Sequence, residues 1–342
     1  MNHRADAISH PFAAPDPGVA REIAPGILWL RVPLGMPPGH VNALALDDGD
    51  GWTVIDPGLD TPAGRDLWTA ILAGPLSGRP VRRVLVTHHH PDHVGLAAWF
   101  TERGAELVMT RTAFLLARML MLDGPETSLS AQVAWWRRCG LSPEEIARRS
   151  AGRHWTFREV AGLLPATYTR IEDGQTLRLA GRDWLVRTGD GHAPEHATLW
   201  SGDLVIAGDQ LLPGISPNLG TWATEPDADP VAEWLASCAR LAGFATDTQL
   251  VLPGHKLPYR GLPHRLAQMQ AQHAAALDRL EGYLTEPRRA VDCFGALYAR
   301  PIGEGEFGLA LAEALGHLNH LAATGRAQVV IAPDGAWLWQ RT

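Results

Sequence analysis

The chain has 342 residues, 46% hydrophobic and 20% charged with 35 Gly and 26 Pro, so it can bury a large core without staples and is neither fibrous nor disordered. Its formal net charge of −7 argues against broad nucleic-acid binding, which needs clustered Lys and Arg facing a polyanion. The three cysteines, Cys139, Cys238 and Cys293, are widely spaced with no C-x-x-C pair, which predicts neither a disulfide framework nor a thiolate metal site and points to a reducing compartment.

The first eighteen residues have no basic segment followed by an apolar core, so no leader is expected and the protein reads as cytoplasmic. Residues 27–32, 42–46 and, after the turn Asp47-Asp48-Gly49-Asp50-Gly51, 52–55 predict an antiparallel meander. A helix follows over about 61–73, then a strand at 83–87, then a helix opened by Pro91 that runs to about Arg103. From Thr110 to about Leu164 the pattern is helical, with a capping box in Ser142-Pro143-Glu144-Glu145 and no strand signal. Its longest apolar run, 114–122, is interrupted by Arg118 and reaches about half of the ~20 residues that span a bilayer, so no membrane segment is expected. Strands resume at 178–179, 184–188, 197–200 and 204–207, a Pro-primed helix covers 229–241, and 249–252 is a further strand. Helical patterns dominate after Pro263, and 327–331 with 336–340 around Pro333-Asp334-Gly335 read as a closing hairpin, which suggests a small winged-helix-like appendage.

The chemistry is concentrated in Thr87-His88-His89-His90-Pro91-Asp92-His93, an H-x-H-x-D-H run placed directly after an apolar strand. In an extended loop His88 and His90 project to one side, and the turn into a helix at Pro91 carries Asp92 and His93 to a neighbouring point, so one loop can serve two metal ions. Imidazole and carboxylate donors without thiolate suit zinc, with manganese or iron as alternatives. Downstream, Gly191-His192, Gly208-Asp209 and Gly254-His255 each put one ligand-type residue beside a glycine at a strand end, where backbone can approach a metal closely.

This ordered set resembles the five motifs of the metallo-β-lactamase-fold hydrolases, in a glyoxalase II-like or lactamase-like branch with a C-terminal winged-helix-like appendage. The resemblance implies an αβ/βα sandwich catalytic domain over about 20–262, carrying a helical insertion at about 111–164, and a C-terminal helical, winged-helix-like domain over 263–342. It implies that His88, His90 and His192 hold one metal, that Asp92, His93 and His255 hold a second, that Asp209 bridges them, and that Asp56 in Val54-Ile55-Asp56-Pro57-Gly58 fixes a ligand histidine through its other ring nitrogen. A pair of zinc ions would supply a bound hydroxide as nucleophile and polarise the electrophile, with Asp92 orienting that hydroxide and shuttling its proton. No serine or cysteine nucleophile is then needed, and no G-x-S-x-G elbow is present.

Other assignments rest on less. His196, four residues past His192, is either a donor to the leaving group or oxyanion or a structural histidine. His89 should face away from its neighbours. Lys256, the only lysine in the chain, and Tyr259 follow a ligand and are candidates to touch an anionic or carbonyl group of the substrate. Residues 111–158 hold eight arginines against four acidic residues, and with Phe114, Leu115, Met119, Met121, Trp135 and Trp136 could form a lid with an apolar inner face and a basic rim, or simply amphipathic helices with solvated arginines. The stretch 281–342 carries five Arg against seven acidic residues, unlike a nucleic-acid-reading wing, so packing, dimerisation or pocket closure is expected of it. His317 and His320 are read there as helix-face residues, and the apolar helix at 307–321 as a dimer contact.

The favoured function is a metal-dependent hydrolase of a small acyl substrate, an acyl thioester before an ester or lactone. Alternatives are a phosphodiesterase or ribonuclease on the same metals, an iron-dependent persulfide dioxygenase, and a catalytically silent metal-binding module; a β-lactamase would generally need export.

Overall fold

The computed structural model describes residues 7–152 and 156–342, in two compact units. The first takes the described residues of Met1–Leu122, Thr156–Pro217 and Leu241–Leu266, and the second those of Asp123–Trp155, Asn218–Arg240 and Ala267–Thr342. Residues 1–6, the start of the segment expected to carry no leader, lie outside the described residues. No helix among the described residues is long and apolar enough to cross a membrane.

The first unit is built on two sheets. One runs in the order β1 (Arg21–Ala24), β2 (Ile27–Pro33), β3 (His40–Asp47), β4 (Trp52–Ile55), β5 (Val81–Leu85), β6 (Glu106–Met109) and β7 (Thr169–Arg170), antiparallel as far as β4 and parallel beyond it. The other contains β8 (Thr176–Leu179), β9 (Arg182–Gly189), β10 (His196–Ser201), β11 (Leu204–Gly208) and β12 (Leu250–Pro253), antiparallel except for the β11–β12 pair. Alternation sorts each strand's side chains. Trp29, Leu44, Ile55 and Leu85 of the first sheet share one core with Trp184, Val186, Leu199, Ile206 and Leu252 of the second. The opposite face of the first sheet, through Leu30, Val41, Ala43, Val54 and Val84, packs with Trp68 and Phe100 of the helices beside it. Burial on both faces is why β3 reads as an almost continuous apolar run rather than as an alternating one.

Helix α1 (Pro62–Ala73) starts at the Thr61 cap, whose Oγ1 accepts from the Gly64 amide at 3.0 Å. The single helix expected from Pro91 to Arg103 is two short ones, α2 (Pro91–Val94) and α3 (Ala97–Thr101). At the break the Leu96 amide bonds to the Gly58 carbonyl at 2.9 Å and the Gly95 carbonyl accepts from Gly162 at 3.0 Å. A Cβ at Gly95 would stand 2.6 Å from the carbonyls of Pro91 and Val160, so close backbone packing interrupts the helix there. Helix α4 (Arg111–Leu122) buries Phe114, Ala117 and Met121 in the same core, and Arg118 donates to the Leu164 and Pro165 carbonyls, each at 2.7 Å.

The second unit contains α5 (Pro125–Arg138), α6 (Pro143–Ala151), most of α7 (Pro230–Ala242) and of α8 (Leu262–Tyr283), α9 (Phe294–Leu297), α10 (Phe307–Ala323) and the hairpin β13 (Ala327–Ile331) with β14 (Trp337–Arg341). Only half of the expected capping box forms. Ser142 Oγ accepts from the Glu145 amide at 3.2 Å, but the Glu145 carboxylate pairs with Arg148 and Arg149 instead of returning to the cap. Those arginines also meet Glu304 at 3.0 and 3.1 Å, and Arg138 pairs with Asp227 at 2.7 Å. Of the insertion's eight arginines, read either as a basic rim or as the solvated face of amphipathic helices, four, Arg118, Arg138, Arg148 and Arg149, are committed within their own units. Helix α10 is the segment read as a dimer contact. Its Leu311, Leu315, Leu318 and Leu321 are wholly buried, and the 218–240 segment bonds along it through Thr221 to Ala312 at 3.0 Å and Asn319 to Ala228 at 2.9 Å.

Candidate metal centre

Five chain segments end at one edge of the first unit's sandwich. Asp56 follows β4 in a left-handed conformation, φ +53°, with its amide bonded to the Leu85 carbonyl at 3.1 Å. Its carboxylate is fully occupied: Oδ1 accepts from the Thr87 amide at 2.8 Å, and Oδ2 accepts from the Thr87 hydroxyl at 2.7 Å and from His93 Nδ1 at 2.9 Å. Having donated to Asp56, Thr87 Oγ1 is left to accept from His88 Nδ1 at 3.0 Å. On the second-sheet side, His255 Nδ1 donates to the His40 carbonyl at 2.6 Å. For His88, His93 and His255 the Nδ1 proton is thus accounted for, and the lone pair of each sits on Nε2.

Those lone pairs converge. Donor atoms of His88, His90 and His192 lie within 4.8 Å of one another, as do those of His88, His93 and Asp209 and those of Asp92, His93 and His255. His88 Nε2 and His90 Nδ1 are 3.0 Å apart. Asp209 reaches the whole group, with its oxygens 3.1 Å from His255 Nε2, 3.5 Å from His93 Nε2 and 3.6 Å from His192 Nε2. Asp92 lies 3.3 Å from His255 Nε2 and 3.7 Å from His93 Nε2. All seven candidate ligands are therefore brought together, with Asp56 behind them.

Two glycines make the convergence possible. A Cβ at Gly208 would stand 2.5 Å from the His196 ring and 2.9 Å from Thr87 Oγ1, and one at Gly254 would stand 2.7 Å from the His93 ring. The electrostatics are those of a cation site. Burial drives His88 and His90 well below the usual imidazole range, with neighbouring histidines adding to it. Burial opposes protonation of His93 and His255 as well, yet Asp209 and Asp92 outweigh it, holding His93 well above that range and lifting His255 to about 10. Burial raises and these imidazoles lower Asp209, which stays well below the ordinary carboxylate range. Buried His93 Nε2 and Asp209 Oδ1 face each other at 3.5 Å without completing a hydrogen bond, so the donor set fits divalent metal ions, for which coordinate bonds would satisfy both atoms.

The weaker assignments are redistributed. His196 is wholly buried; its ring stacks on His88 with centroids 4.5 Å apart, and its Nε2 accepts from the Asp209 amide at 3.0 Å. Of the two readings it takes the structural one, positioning Asp209 instead of meeting substrate, and burial lowers its pKa to about 3. Tyr259 is corrected as a substrate contact: it has no exposed surface, pairs with Val251 through the backbone, and donates its hydroxyl to the Leu211 carbonyl at 3.2 Å. Lys256 is half-buried and left-handed, φ +68°, with its carbonyl accepting from Asn42 Nδ2 at 2.9 Å. His89 packs beside His90, centroids 4.6 Å apart, and burial takes its pKa to about 3. Sequence reasoning missed Thr87 and the His40 carbonyl, which set imidazole protons, and Asn42, which joins β3 to the turn after β12. Thr87 had a signal, its place at the head of the histidine run; the others act across more than 200 residues and had none. His317, wholly in the second unit, donates to the Glu313 carbonyl at 2.9 Å and His320 meets Asp229 at 3.0 Å.

Comparison with known proteins agrees with this geometry. Residues 36–255 match the metallo-beta-lactamase superfamily and residues 277–342 the metallo-beta-lactamase-like C-terminal domain. The crystal structure of a beta-lactamase domain protein from Burkholderia ambifaria is 35% identical, covers 98% of each chain and superimposes with a TM-score of 0.89. A metallo-beta-lactamase family protein from Thermus thermophilus is 29% identical, over 94% of this chain and 100% of that one, with a TM-score of 0.80. Among curated proteins, the probable metallo-hydrolase YqjP of Bacillus subtilis (strain 168) is 26% identical over 87% of this chain and 92% of its own length. A linear primary-alkylsulfatase of Pseudomonas sp. (strain ATCC 19151) is 25% identical over 62% of this chain, which spans 40% of that enzyme. With the motif residues gathered at one sheet edge and both parts of the chain matched, the protein belongs to the metallo-β-lactamase superfamily and is a metallo-hydrolase of it.

Proposed function

We propose that the chain hydrolyses a small acyl substrate at its carbonyl, an acyl thioester in the first place and an ester or lactone next, with two zinc ions. His88, His90 and His192 would hold one ion and Asp92, His93 and His255 the other, with Asp209 shared; manganese or iron are the alternative occupants. The observation that carries the reading is the convergence of seven donors, three of which, His93, His88 and His255, already have their outward nitrogens committed to Asp56, Thr87 and the His40 carbonyl. Bound ions would supply a water of lowered pKa and polarise the electrophile.

The chain's own residues do the rest. Asp92 is the accessible carboxylate of the group, its side chain 22% exposed against 8% for Asp209, so it is the one that can orient a water and accept its proton. Asp56 and Thr87 keep the imidazoles of His93 and His88 in the tautomer that faces inward. His196 holds the Asp209 backbone. We place this chemistry in the cytoplasm, in keeping with three buried, unbridged cysteines. Similarity to the alkylsulfatase supports a second reading, an alkyl sulfate ester as the substrate.

The test is the initial rate of zinc-loaded protein on matched acyl thioester, ester, lactone, alkyl sulfate and bis(p-nitrophenyl) phosphate substrates, with His90→Ala as background. Thioester turnover abolished in His90→Ala is the expected result. Turnover of the sulfate alone would install the second reading, and turnover of the phosphodiester alone would make the phosphodiesterase or ribonuclease alternative primary.

A further inference from the structure

Three polar residues stand at the rim of the metal centre without a ligand role: Arg31, His40 and Lys256. Because β3 is antiparallel to β4, with Leu44 opposite Ile55, the start of β3 lies at the same sheet end as Asp56. Arg31 and His40 point to the side that faces the second sheet. Two residues further in, on that same side, Trp29 Nε1 donates to Asn42 Oδ1 at 2.9 Å. The His40 carbonyl is the group that receives His255 Nδ1, so the His40 backbone is tied directly to a candidate ligand.

The proton on the His40 ring can be located. An arginine is always protonated and only donates, so the 2.8 Å contact from Arg31 Nη2 makes His40 Nδ1 an acceptor and puts the imidazole proton on Nε2. That N–H belongs to a residue only 8% exposed, and it has no partner within hydrogen-bond geometry. The Lys256 carbonyl, which also accepts from Asn42 Nδ2, favours a proton on the ring, but no acceptor, that carbonyl included, meets hydrogen-bond geometry at Nε2. Arg31 Nε is also buried without an acceptor. Lys256, held left-handed where a side-chain-bearing residue is strained, adds a second cation whose field reaches His40. Orphaned buried donors are costly, and donors beside two cations are completed best by an anion.

We propose that Arg31, His40 and Lys256 form an anion-accepting corner beside the metal centre, in which His40 Nε2 donates to an anionic oxygen carried by the substrate near its scissile bond. The substrate class is then an acyl ester or thioester bearing a carboxylate or an equivalent oxyanion. This rests on the hydrolase reading above, and the test separates the two.

First, zinc-loaded protein labelled with 15N-histidine is compared by NMR with His40→Phe to assign the ring, and succinate is added. The expected result is an Nε2–H tautomer whose signal moves with succinate. An Nδ1–H tautomer, or no response to succinate, would overturn the proposal. Second, succinyl and butyryl thioesters of equal chain length are compared. In His40→Phe the succinyl-to-butyryl ratio of kcat/KM should fall about 10- to 100-fold, with partial recovery in His40→Gln, which keeps an N–H donor. An unchanged ratio would overturn the corner, and so would a fall in bound zinc in His40→Phe, since that would reduce His40 to a support for His255. If the wild type cleaves neither thioester, the thioester preference in the reading above fails, while the NMR result still decides the corner.

Discussion

Each unit of this protein contains a buried cluster of histidines, and only one of them is built for metal. At the sheet edge His88 and His90 bring ring nitrogens to 3.0 Å; in the second unit His273 and His317 bring theirs to 3.4 Å, which looks comparable. Burial lowers the pKa of His317 as it lowers those of His88 and His90. What separates them is the company. At the edge, Asp92 and Asp209 converge on the imidazoles, and the outward nitrogens of His88, His93 and His255 are spent on Thr87, Asp56 and the His40 carbonyl, so their Nε2 atoms meet at the centre. In the second unit His317 Nδ1 is spent on the Glu313 carbonyl, His273 packs on Trp234 with centroids 4.8 Å apart, and the nearby carboxylate, Asp229, is taken by His320 and by the Ala232 amide. Nitrogen density alone does not make a cation site; converging lone pairs with carboxylate charge around them do.

The largest effect expected on either side of this contrast is from Asp209→Asn. It removes the carboxylate that reaches three imidazoles, so bound metal measured by elemental analysis should fall and turnover should drop by about a thousandfold. Asp56→Asn comes next: metal affinity measured by competition with a chromophoric chelator should weaken by about 10- to 100-fold, because His93 and Thr87 lose their acceptor while every direct ligand stays. His317→Leu should instead leave bound metal unchanged and lower stability by about 1 kcal/mol, read as a shift in Tm, since it deletes one buried hydrogen bond. More than two tightly bound zinc ions per chain, with the excess lost in His317→Leu, would erase the distinction between the clusters.

The smallest effect belongs to Asp229. Burial would raise its carboxyl pKa, but His320 and the Ala232 amide outweigh it and hold it below the ordinary value of 3.8. A depressed folded-state pKa stabilises above the unfolded value and is lost as pH falls through the folded one. Asp229→Asn should therefore cost about 1 kcal/mol or less at pH 7, and its Tm deficit relative to wild type should shrink as the pH is taken below 3.8.

The seven donors were legible because each stands beside a turn or a glycine at a strand end, in an order that repeats the sheet topology. The two-sheet core was legible from apolar runs bounded by turn residues. Strand β6 was not, since Glu106–Met109 is four residues long and follows a stretch whose periodicity is helical. The helix break at Gly95 was hidden because its cause is backbone from Gly58 and Val160 packed against it, contacts that no local pattern encodes. His196 and Tyr259 misled through proximity in sequence: both follow a ligand closely, yet the first residue of β10 and the return past β12 turn inward. The Arg31–His40 contact was beyond reach because it depends on the pairing of β2 with β3 at the rim, Pro33 opposite His40.

Asn42 has one more role to play. Its amide bonds to the Gly254 carbonyl at 2.7 Å, its Nδ2 to the Pro253 and Lys256 carbonyls, and its Oδ1 receives Trp29, so one residue of the first sheet clasps the turn that carries His255 on the second. The ligand set straddles the same seam, with His88, His90, Asp92 and His93 on one side and His192, Asp209 and His255 on the other. Parting the sheets at this edge would therefore part the ligand set as well, and bound metal would act as a rivet whose removal loosens the seam at the same time as it ends catalysis. Hydrogen exchange at the Asn42 amide would then serve as a clock for metal departure, slow while the ions are held and quick once a chelator has taken them.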